Sequence, residues 1–149
     1  MKVLLVCSSG GHLQQMLALE PAWHDAERAW VTLPGADVSV LLEGEDVTLA
    51  RGPTNRSVVN LFRNAALAWR VLRERRPEAI LSTGAGVAVP FFAVGKLLRI
   101  RLVYVESVTR TESISLTGRL VYPFADRFFA QWPAAARRLR RARYAGSVL

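Results

Sequence analysis

Cysteine is almost absent from this sequence. The 149 residues include one cysteine, Cys7, which excludes a disulfide within the chain and a zinc site built from several cysteines. Because Cys7 lies in an apolar run, we expect it to be a small buried residue. No cluster of metal-ligating side chains is visible, so we expect no metal site.

Long apolar runs are missing as well. The longest covers residues 85–98 and is interrupted by Pro90 and Lys96, whereas a membrane-spanning helix needs about 20 apolar residues. The apolar run at the start is too short for a signal peptide. We therefore expect no transmembrane segment, a protein kept in the cytoplasm, and only peripheral contact with a membrane.

Acidic residues are few, with 12 Asp and Glu against 20 Lys and Arg and a net charge of +8. This balance favours an anionic partner, such as a nucleic acid, lipid headgroups or a phosphorylated substrate. A hydrophobic fraction of 51% with 21% charged residues excludes a disordered chain. The length suits one domain, which we assign to residues 1–149.

Short β-branched apolar runs alternate with helical patterns along the chain. We predict strands at 2–7, 28–33, 47–50, 78–82, 101–105 and 127–130, and helices at 13–19, 38–42, 57–76 and 87–98. Ser57 is a plausible N-cap, and Pro21 and Pro77 are expected to stop the helices before them. The predicted fold class is α/β, with a Rossmann-like, doubly wound parallel sheet.

Two glycine-rich turns each follow a predicted strand and open a predicted helix. Backbone N–H groups in such turns, with the positive end of a helix, bind oxyanions. Since the carboxyl ends of parallel strands share one edge, both turns should face one crevice. We therefore predict that a diphosphate is bound by Ser9, Gly10, Gly11, Ser82, Thr83, Gly84, Ala85 and Gly86. Turns that need glycine only for packing remain the alternative.

Three further polar residues are expected in that crevice. His12 is a candidate general base or phosphate donor. Glu106 follows the strand at 101–105, where it would hydrogen-bond a sugar hydroxyl or position the nucleophile. Arg110 would neutralise a phosphate. A salt bridge between Glu106 and Arg110 is the structural alternative.

The helix predicted at 57–76 has an apolar arc too wide for a helix that only lines a core. Aromatic residues beside arginines are typical of an interfacial helix. The residues expected to contact an anionic membrane surface are Phe62, Arg63, Trp69, Arg70 and Arg73. A core helix with a solvated basic side remains the alternative.

Four motifs in order carry a resemblance: Gly10–Leu13, Ser82–Ala85, Tyr104–Ser107 and Phe129–Pro133. Together they resemble the membrane-anchoring, acceptor-side subunit of the two-component UDP-N-acetylglucosamine transferase of asparagine-linked glycosylation. Bacterial relatives in exopolysaccharide and capsule synthesis look closer, because Leu13 stands where eukaryotic members usually have threonine. Residues 56–133 are more loosely similar to the acceptor domain of the transferase that makes peptidoglycan lipid II.

This resemblance implies a GT-B glycosyltransferase divided over two chains. The present chain would be the N-terminal half, inactive alone, with the UDP-sugar on a donor-binding partner subunit and no cofactor of its own. The implied reaction is inverting transfer to a polyprenyl-diphosphate-linked glycan acceptor, with His12 as the first candidate base and Glu106 as the second.

The resemblance also implies a location and a mode of assembly. The helix at 57–76 and the segment around Phe91 and Phe92 would lean on the cytoplasmic face of the plasma membrane. The basic tail at about 134–149 would dock the partner.

Two other functions stay open. A stand-alone Rossmann-like protein would bind a nucleotide by itself. A nucleic-acid-binding domain would use the arginines and show a steep salt dependence. We expect no nucleic acid as partner, because the aromatic residues are not spaced as a stacking platform.

Overall fold

Strands and helices alternate throughout the computed structural model, which describes residues 1–149. The strands are β1 (Lys2–Val6), β2 (Glu27–Thr32), β3 (Val47–Leu49), β4 (Ala79–Ser82), β5 (Arg101–Val105), β6 (Arg127–Ala130) and β7 (Ala142–Tyr144). The helices are α1 (Gly11–Ala18), α2 (Glu20–Trp23), α3 (Ala36–Leu41), α4 (Val58–Arg75), α5 (Ala88–Leu97), α6 (Leu116–Val121) and α7 (Pro133–Ala136).

All seven strands form one parallel sheet in the order β3-β2-β1-β4-β5-β6-β7. From β1 the chain builds outwards to β3, then returns to place β4 beside β1, with Val6 opposite Ser82. The direction of winding therefore reverses between β1 and β4, and ligands of open α/β sheets bind outside the strand ends at such a point. The predicted Rossmann-like α/β fold is confirmed.

Both faces of the sheet are covered, which explains why β1 is apolar at successive positions. Leu4 and Val6 belong to the larger core, under α4 and α5. Val3, Leu5 and Cys7 belong to a second core on the opposite face, under α1, α2 and α3. Alternate residues of one strand therefore feed two separate cores.

The helix α4 begins and ends where local chemistry requires. The hydroxyl of Ser57 accepts a hydrogen bond from the Asn60 N–H (3.2 Å), which confirms the predicted N-cap. At the other end, Arg76 adopts a left-handed conformation (φ 49°) before Pro77, a frequent way to end a helix. The amide of Asn64 bonds both the N–H and the carbonyl of Arg51, so α4 also holds the loop before it.

Some short elements differ from the prediction. Helix α1 ends before Pro21, as predicted, but the short helix α2, which was not predicted, has Pro21 in its first turn, where the missing N–H has no helical acceptor to lose. Residues 134–149 are not a simple tail: α7 and β7 were not predicted, and β7 pairs with β6. The Arg141 guanidinium donates to the carbonyls of Ala125 and Tyr122, so part of the basic segment is structural.

Phe91 and Phe92 were expected to lean on a bilayer, and that prediction is wrong. Both side chains are fully buried in the larger core. The helix α5 packs on the sheet and contacts α4 and α6, so its aromatic residues have no free face. Across the whole fold, no helix combines the length and the apolar character that a membrane crossing requires.

A stability measurement tests this packing. Phe91→Ala should lower the free energy of unfolding by about 3–5 kcal/mol, because it leaves a cavity in the larger core. Leu97→Ala, on the same helix but 76% exposed, should change it by less than about 0.5 kcal/mol. Urea denaturation followed by circular dichroism measures both, and equal effects of the two substitutions would contradict the assigned burial.

Candidate functional site

A cleft of about 520 Å³ opens at the carboxyl ends of the central strands. Its lining includes His12 after β1, Ala85 and Gly86 after β4, and Glu106 and Arg110 after β5. The loop before α4 adds Pro53, Thr54 and Asn55, which the sequence analysis did not single out. The cleft thus lies where the direction of winding reverses.

His12 and Thr83 join the two glycine-rich turns by a reciprocal pair of hydrogen bonds. The His12 ring donates from Nδ1 to the Thr83 carbonyl (2.8 Å), and the Thr83 hydroxyl donates to the His12 carbonyl (2.7 Å). Because a carbonyl oxygen only accepts, a neutral His12 has its proton on Nδ1. Nε2 is then the nitrogen that can take a proton.

The second turn is shaped by buried groups. Ser82 and Thr83 are fully buried, and the Ser82 hydroxyl accepts from the Gly84 N–H (3.1 Å). These two side chains therefore shape the turn instead of facing the cleft. Gly84 has φ 122°, and a Cβ there would lie 2.8 Å from the His12 ring, so this position requires glycine.

The amino-terminal end of α5 presents free N–H groups beside the cleft. The N–H groups of Ala85 and Gly86, which line the cleft, donate to no acceptor in the protein. Consecutive unpaired N–H groups before a helix form a seat for an oxyanion. A phosphate group is the natural ligand of such a seat.

The first turn is less open to an anion. The N–H of Gly10 donates to the carboxylate of Asp37 (2.7 Å), which places a negative charge beside Ser9, Gly10 and Gly11. Asp37 lies in the first turn of α3 and was missed, although an acidic residue at a predicted helix start was visible. Its charge makes the α5 turn the better phosphate seat of the two.

The Glu106 carboxylate is 1% exposed and fully engaged. One oxygen accepts from the Ser107 N–H (2.8 Å), the other from the Ser115 N–H (2.9 Å), and the Ser115 hydroxyl donates to both. A Cβ on Gly118 would collide with this carboxylate. Glu106 therefore closes the loop between β5 and α6, with Ser115 as a partner that the sequence analysis missed.

Arg110 lies on that closed loop and is exposed to the cleft. Its N–H donates to the Ser107 carbonyl (3.0 Å), and the hydroxyls of Ser107 and Thr109 bond each other (2.9 Å). Arg110 takes part in none of the five ion pairs of the protein. The alternative salt bridge with Glu106 is not formed, so the guanidinium remains available for an anion.

Two buried acidic groups beneath the cleft stay protonated. Cys7 is buried, as its apolar surroundings predicted, and burial raises the pKa of its thiol to about 12. Burial, with the nearby Glu106 charge, also raises the pKa of the Tyr104 phenol. Neither group supplies an anion that would compete with a phosphate.

An apolar stripe runs along the outer face of α4. Val59 is 60% exposed, Phe62 70% and Trp69 48%, at a spacing that places them on one side of the helix. The Arg73 guanidinium lies 5.3 Å from the centre of the Trp69 ring. All five residues expected at a membrane are exposed on this helix.

Comparison with known proteins assigns the chain to a family. The family model described as "Oligosaccharide biosynthesis protein Alg14 like" matches residues 48–148. This chain belongs to the Alg14 family. The family named by the resemblance is thereby confirmed.

Curated relatives of this Alg14-family chain carry the name UDP-N-acetylglucosamine transferase subunit ALG14. That of Eremothecium gossypii is 40% identical over 77% of this chain and 55% of its own length. That of Yarrowia lipolytica is 31% identical over 99% of this chain and 81% of its own length. That of Homo sapiens is 29% identical over 56% of this chain and 41% of its own length. The chain thus spans little more than half of the first of these relatives.

These fungal and human relatives do not support the narrower prediction of a bacterial exopolysaccharide branch. That prediction relied on Leu13, which is fully buried in the second core. The residue type at this position therefore reflects packing beneath α1, and it is a poor indicator of the substrate.

Solved structures show the same fold at low identity. MurG of Acinetobacter baumannii superposes with a TM-score of 0.79 at 15% identity, over 99% of this chain and 45% of that one. UDP-N-acetylglucosamine 2-epimerase from Rickettsia bellii superposes with a TM-score of 0.78 at 12% identity, over 99% of this chain and 45% of the epimerase chain. The chain therefore has the fold of the N-terminal half of GT-B enzymes.

A glycine substitution tests the His12 contact. Gly84→Ala should cost about 1–3 kcal/mol of stability, because alanine is strained at this φ and its Cβ would displace the His12 ring. Gly11→Ala is the matched control, since a Cβ there meets no atom within 4 Å. Chemical denaturation and the NMR signals of His12 report both effects. An unmoved His12 in a fully stable Gly84→Ala protein would contradict this geometry.

Proposed function

We propose that this chain is the acceptor-side subunit of a two-component glycosyltransferase. It would present a polyprenyl-diphosphate-linked acceptor to a donor-binding subunit that carries UDP-N-acetylglucosamine, the sugar nucleotide in the relatives' names. The observation that carries the proposal is a GT-B half domain whose cleft combines an oxyanion seat, an unpaired arginine and an oriented histidine. This function would be exercised in lipid-linked oligosaccharide synthesis.

The acceptor diphosphate would occupy the seat before α5. The free N–H groups of Ala85 and Gly86 would supply hydrogen bonds, and the helix end would supply partial positive charge. Arg110, exposed at the same cleft, would add a full charge and a forked pair of donors. Ser82, Thr83 and Gly84 would act indirectly by shaping this turn.

His12 would be the general base in an inverting transfer. With Nδ1 committed to Thr83, Nε2 would accept the proton of the acceptor hydroxyl as that oxygen attacks the anomeric carbon of the donor sugar. The UDP diphosphate would leave on the partner subunit. Glu106, with both oxygens engaged, would position the Arg110 loop in place of taking a proton.

A partner subunit would supply the donor-binding domain of the enzyme. These residues form one Rossmann-like domain, and its superposition covers 45% of a MurG chain. A cleft that faces a second domain is the common architecture of GT-B chemistry. The subunit names of the relatives support the proposal that the second domain is a separate chain.

The stripe on α4 would rest on the cytoplasmic face of the plasma membrane. Exposed Phe62 and Trp69 would enter the interface between headgroups and acyl chains, and Arg63, Arg70 and Arg73 would meet anionic headgroups. This attachment would keep the lipid tail of the acceptor in the bilayer while its diphosphate enters the cleft.

A transfer assay tests the enzymatic proposal. The chain and its donor-binding partner, separately and together, are offered a polyprenyl-diphosphate acceptor with radiolabelled UDP-N-acetylglucosamine, UDP-glucose, UDP-glucuronate or UDP-galactose. Product should form only with both chains and with UDP-N-acetylglucosamine. Product from this chain alone would refute the divided enzyme, and preference for another sugar would refute the donor assignment.

The same assay tests the base. His12→Ala should lower kcat by about 10²–10⁴-fold without loss of folding, whereas His24→Ala should leave it unchanged. His24 is a suitable control because it is exposed and pairs only with Asp25. Normal turnover by a folded His12→Ala complex would contradict the assignment of His12 as the general base.

Vesicle binding tests the membrane stripe. The double variant Phe62→Ser and Trp69→Ser should weaken binding to vesicles of phosphatidylcholine with phosphatidylglycerol by tenfold or more, roughly, since two large apolar side chains leave the interface. The matched control, Val40→Ser with Leu41→Ser, removes two exposed apolar residues from α3 on the opposite face of the sheet. Equal loss in both variants would contradict the assignment to α4.

A further inference from the structure

Two buried glutamines meet beneath the cleft, and the proposed mechanism uses neither. Gln15 is 3% exposed and Gln131 is 2% exposed. The side-chain NH₂ of Gln131 donates to Oε1 of Gln15 (2.7 Å). Burying a side-chain amide costs free energy unless its polar atoms are hydrogen-bonded. The bonds of this pair therefore fix the relative positions of the segments that they connect.

Gln15 joins α1 to the loop that carries Arg110. It lies one turn after His12, and its Oε1 also accepts from the Val108 N–H (2.9 Å). The Val108 carbonyl accepts from the Trp132 indole N–H (2.6 Å). The backbone of Val108 is therefore held on both sides, two residues before Arg110.

Gln131 joins this loop to the carboxyl-terminal segment, which we define as residues 145–149. Its NH₂ donates a second bond to the Glu106 carbonyl (2.9 Å), and its Oε1 accepts from the Val148 N–H (2.9 Å). The bond from Val148 is the only hydrogen bond between the carboxyl-terminal segment and the rest of the chain.

The carboxyl-terminal segment is otherwise loosely packed. It lies over an apolar cavity of about 280 Å³, which is also lined by Val103, Val105 and Phe129. Residues 145–147 and 149 are exposed, so the segment makes few of the packing contacts that would hold it in place. The attachment of this segment to the sheet therefore depends strongly on Gln131.

We propose that Gln131 is a positioning residue that couples the carboxyl-terminal segment to the cleft. Through Gln15 and Val108 it sets the distance between His12 on α1 and Arg110 on the facing loop. Through Val148 it makes that distance depend on how the carboxyl-terminal segment is held. The coupling is a property of this chain, and only its kinetic consequence rests on the proposed function.

Amide hydrogen exchange of the isolated chain tests the coupling without any activity. Gln131→Met keeps the length of the side chain and removes its donors and acceptor. Val148→Pro removes one N–H outside the core, and Val148→Ala is the matched control that keeps it. Exchange of the Val108 amide should quicken about tenfold in Gln131→Met and Val148→Pro, as expected for the loss of one buried hydrogen bond.

The controls make the result decisive. Val148→Ala should leave Val108 unchanged, and the Leu5 amide in the sheet should be unchanged in every variant. Equal exchange at Val108 in Val148→Pro and Val148→Ala would overturn the coupling, and this comparison remains valid if Gln131→Met does not fold. Unchanged exchange in a folded Gln131→Met would overturn it as well.

Kinetics of the assembled enzyme separate positioning from stability. Gln131→Met should raise the KM for the acceptor about tenfold and leave the KM for UDP-N-acetylglucosamine unchanged. A purely structural role would lower kcat with the active fraction and leave both KM values unchanged, which would overturn the proposal. If wild-type complex transfers no sugar but the exchange result holds, the proposed function fails and the coupling stands.

Discussion

The paired hydrogen bonds between His12 and Thr83 are the contact on which the cleft depends. They bridge the turns after β1 and β4, at the point where the winding of the sheet reverses. They fix the protonated nitrogen of His12, and they require glycine at position 84 because no Cβ fits beside the ring. The same contact thus sets both the orientation of the candidate base and the conformation of the turn proposed to bind phosphate.

The charged residues of the protein serve three different purposes. Beside the cleft, Asp37 and Glu106 are bonded to backbone N–H groups, and Arg110 is the charged side chain that remains free to pair with an anion. On α4, arginines accompany an apolar stripe. In the basic segment near the end, Arg141 serves the fold by holding carbonyls of the α6–β6 turn. Net charge alone does not distinguish these uses.

Much of the fold was predictable from local patterns. Continuous apolar runs marked six of the seven strands, and Ser57 and Pro77 marked the limits of α4. The short elements α2, α6, α7 and β7 were missed, since three to six residues carry too little periodicity to be recognised. The burial of Phe91 and Phe92 was also missed, because an all-apolar helix has the same sequence pattern whether protein or lipid surrounds it.

The sequence by itself determined the alternation of strands and helices, the glycine turns at strand ends, and the family. These depend on backbone preferences and on residue order, which are local properties. Only the tertiary structure decided which polar groups are free. The side chains of Ser82, Thr83 and Glu106 could bind a ligand by their chemistry, but they are engaged in hydrogen bonds within the protein. The Arg110 guanidinium is not. Hydrogen-bond partners many residues apart, such as Gln15 and Gln131, exist only after the sheet brings its strand ends together.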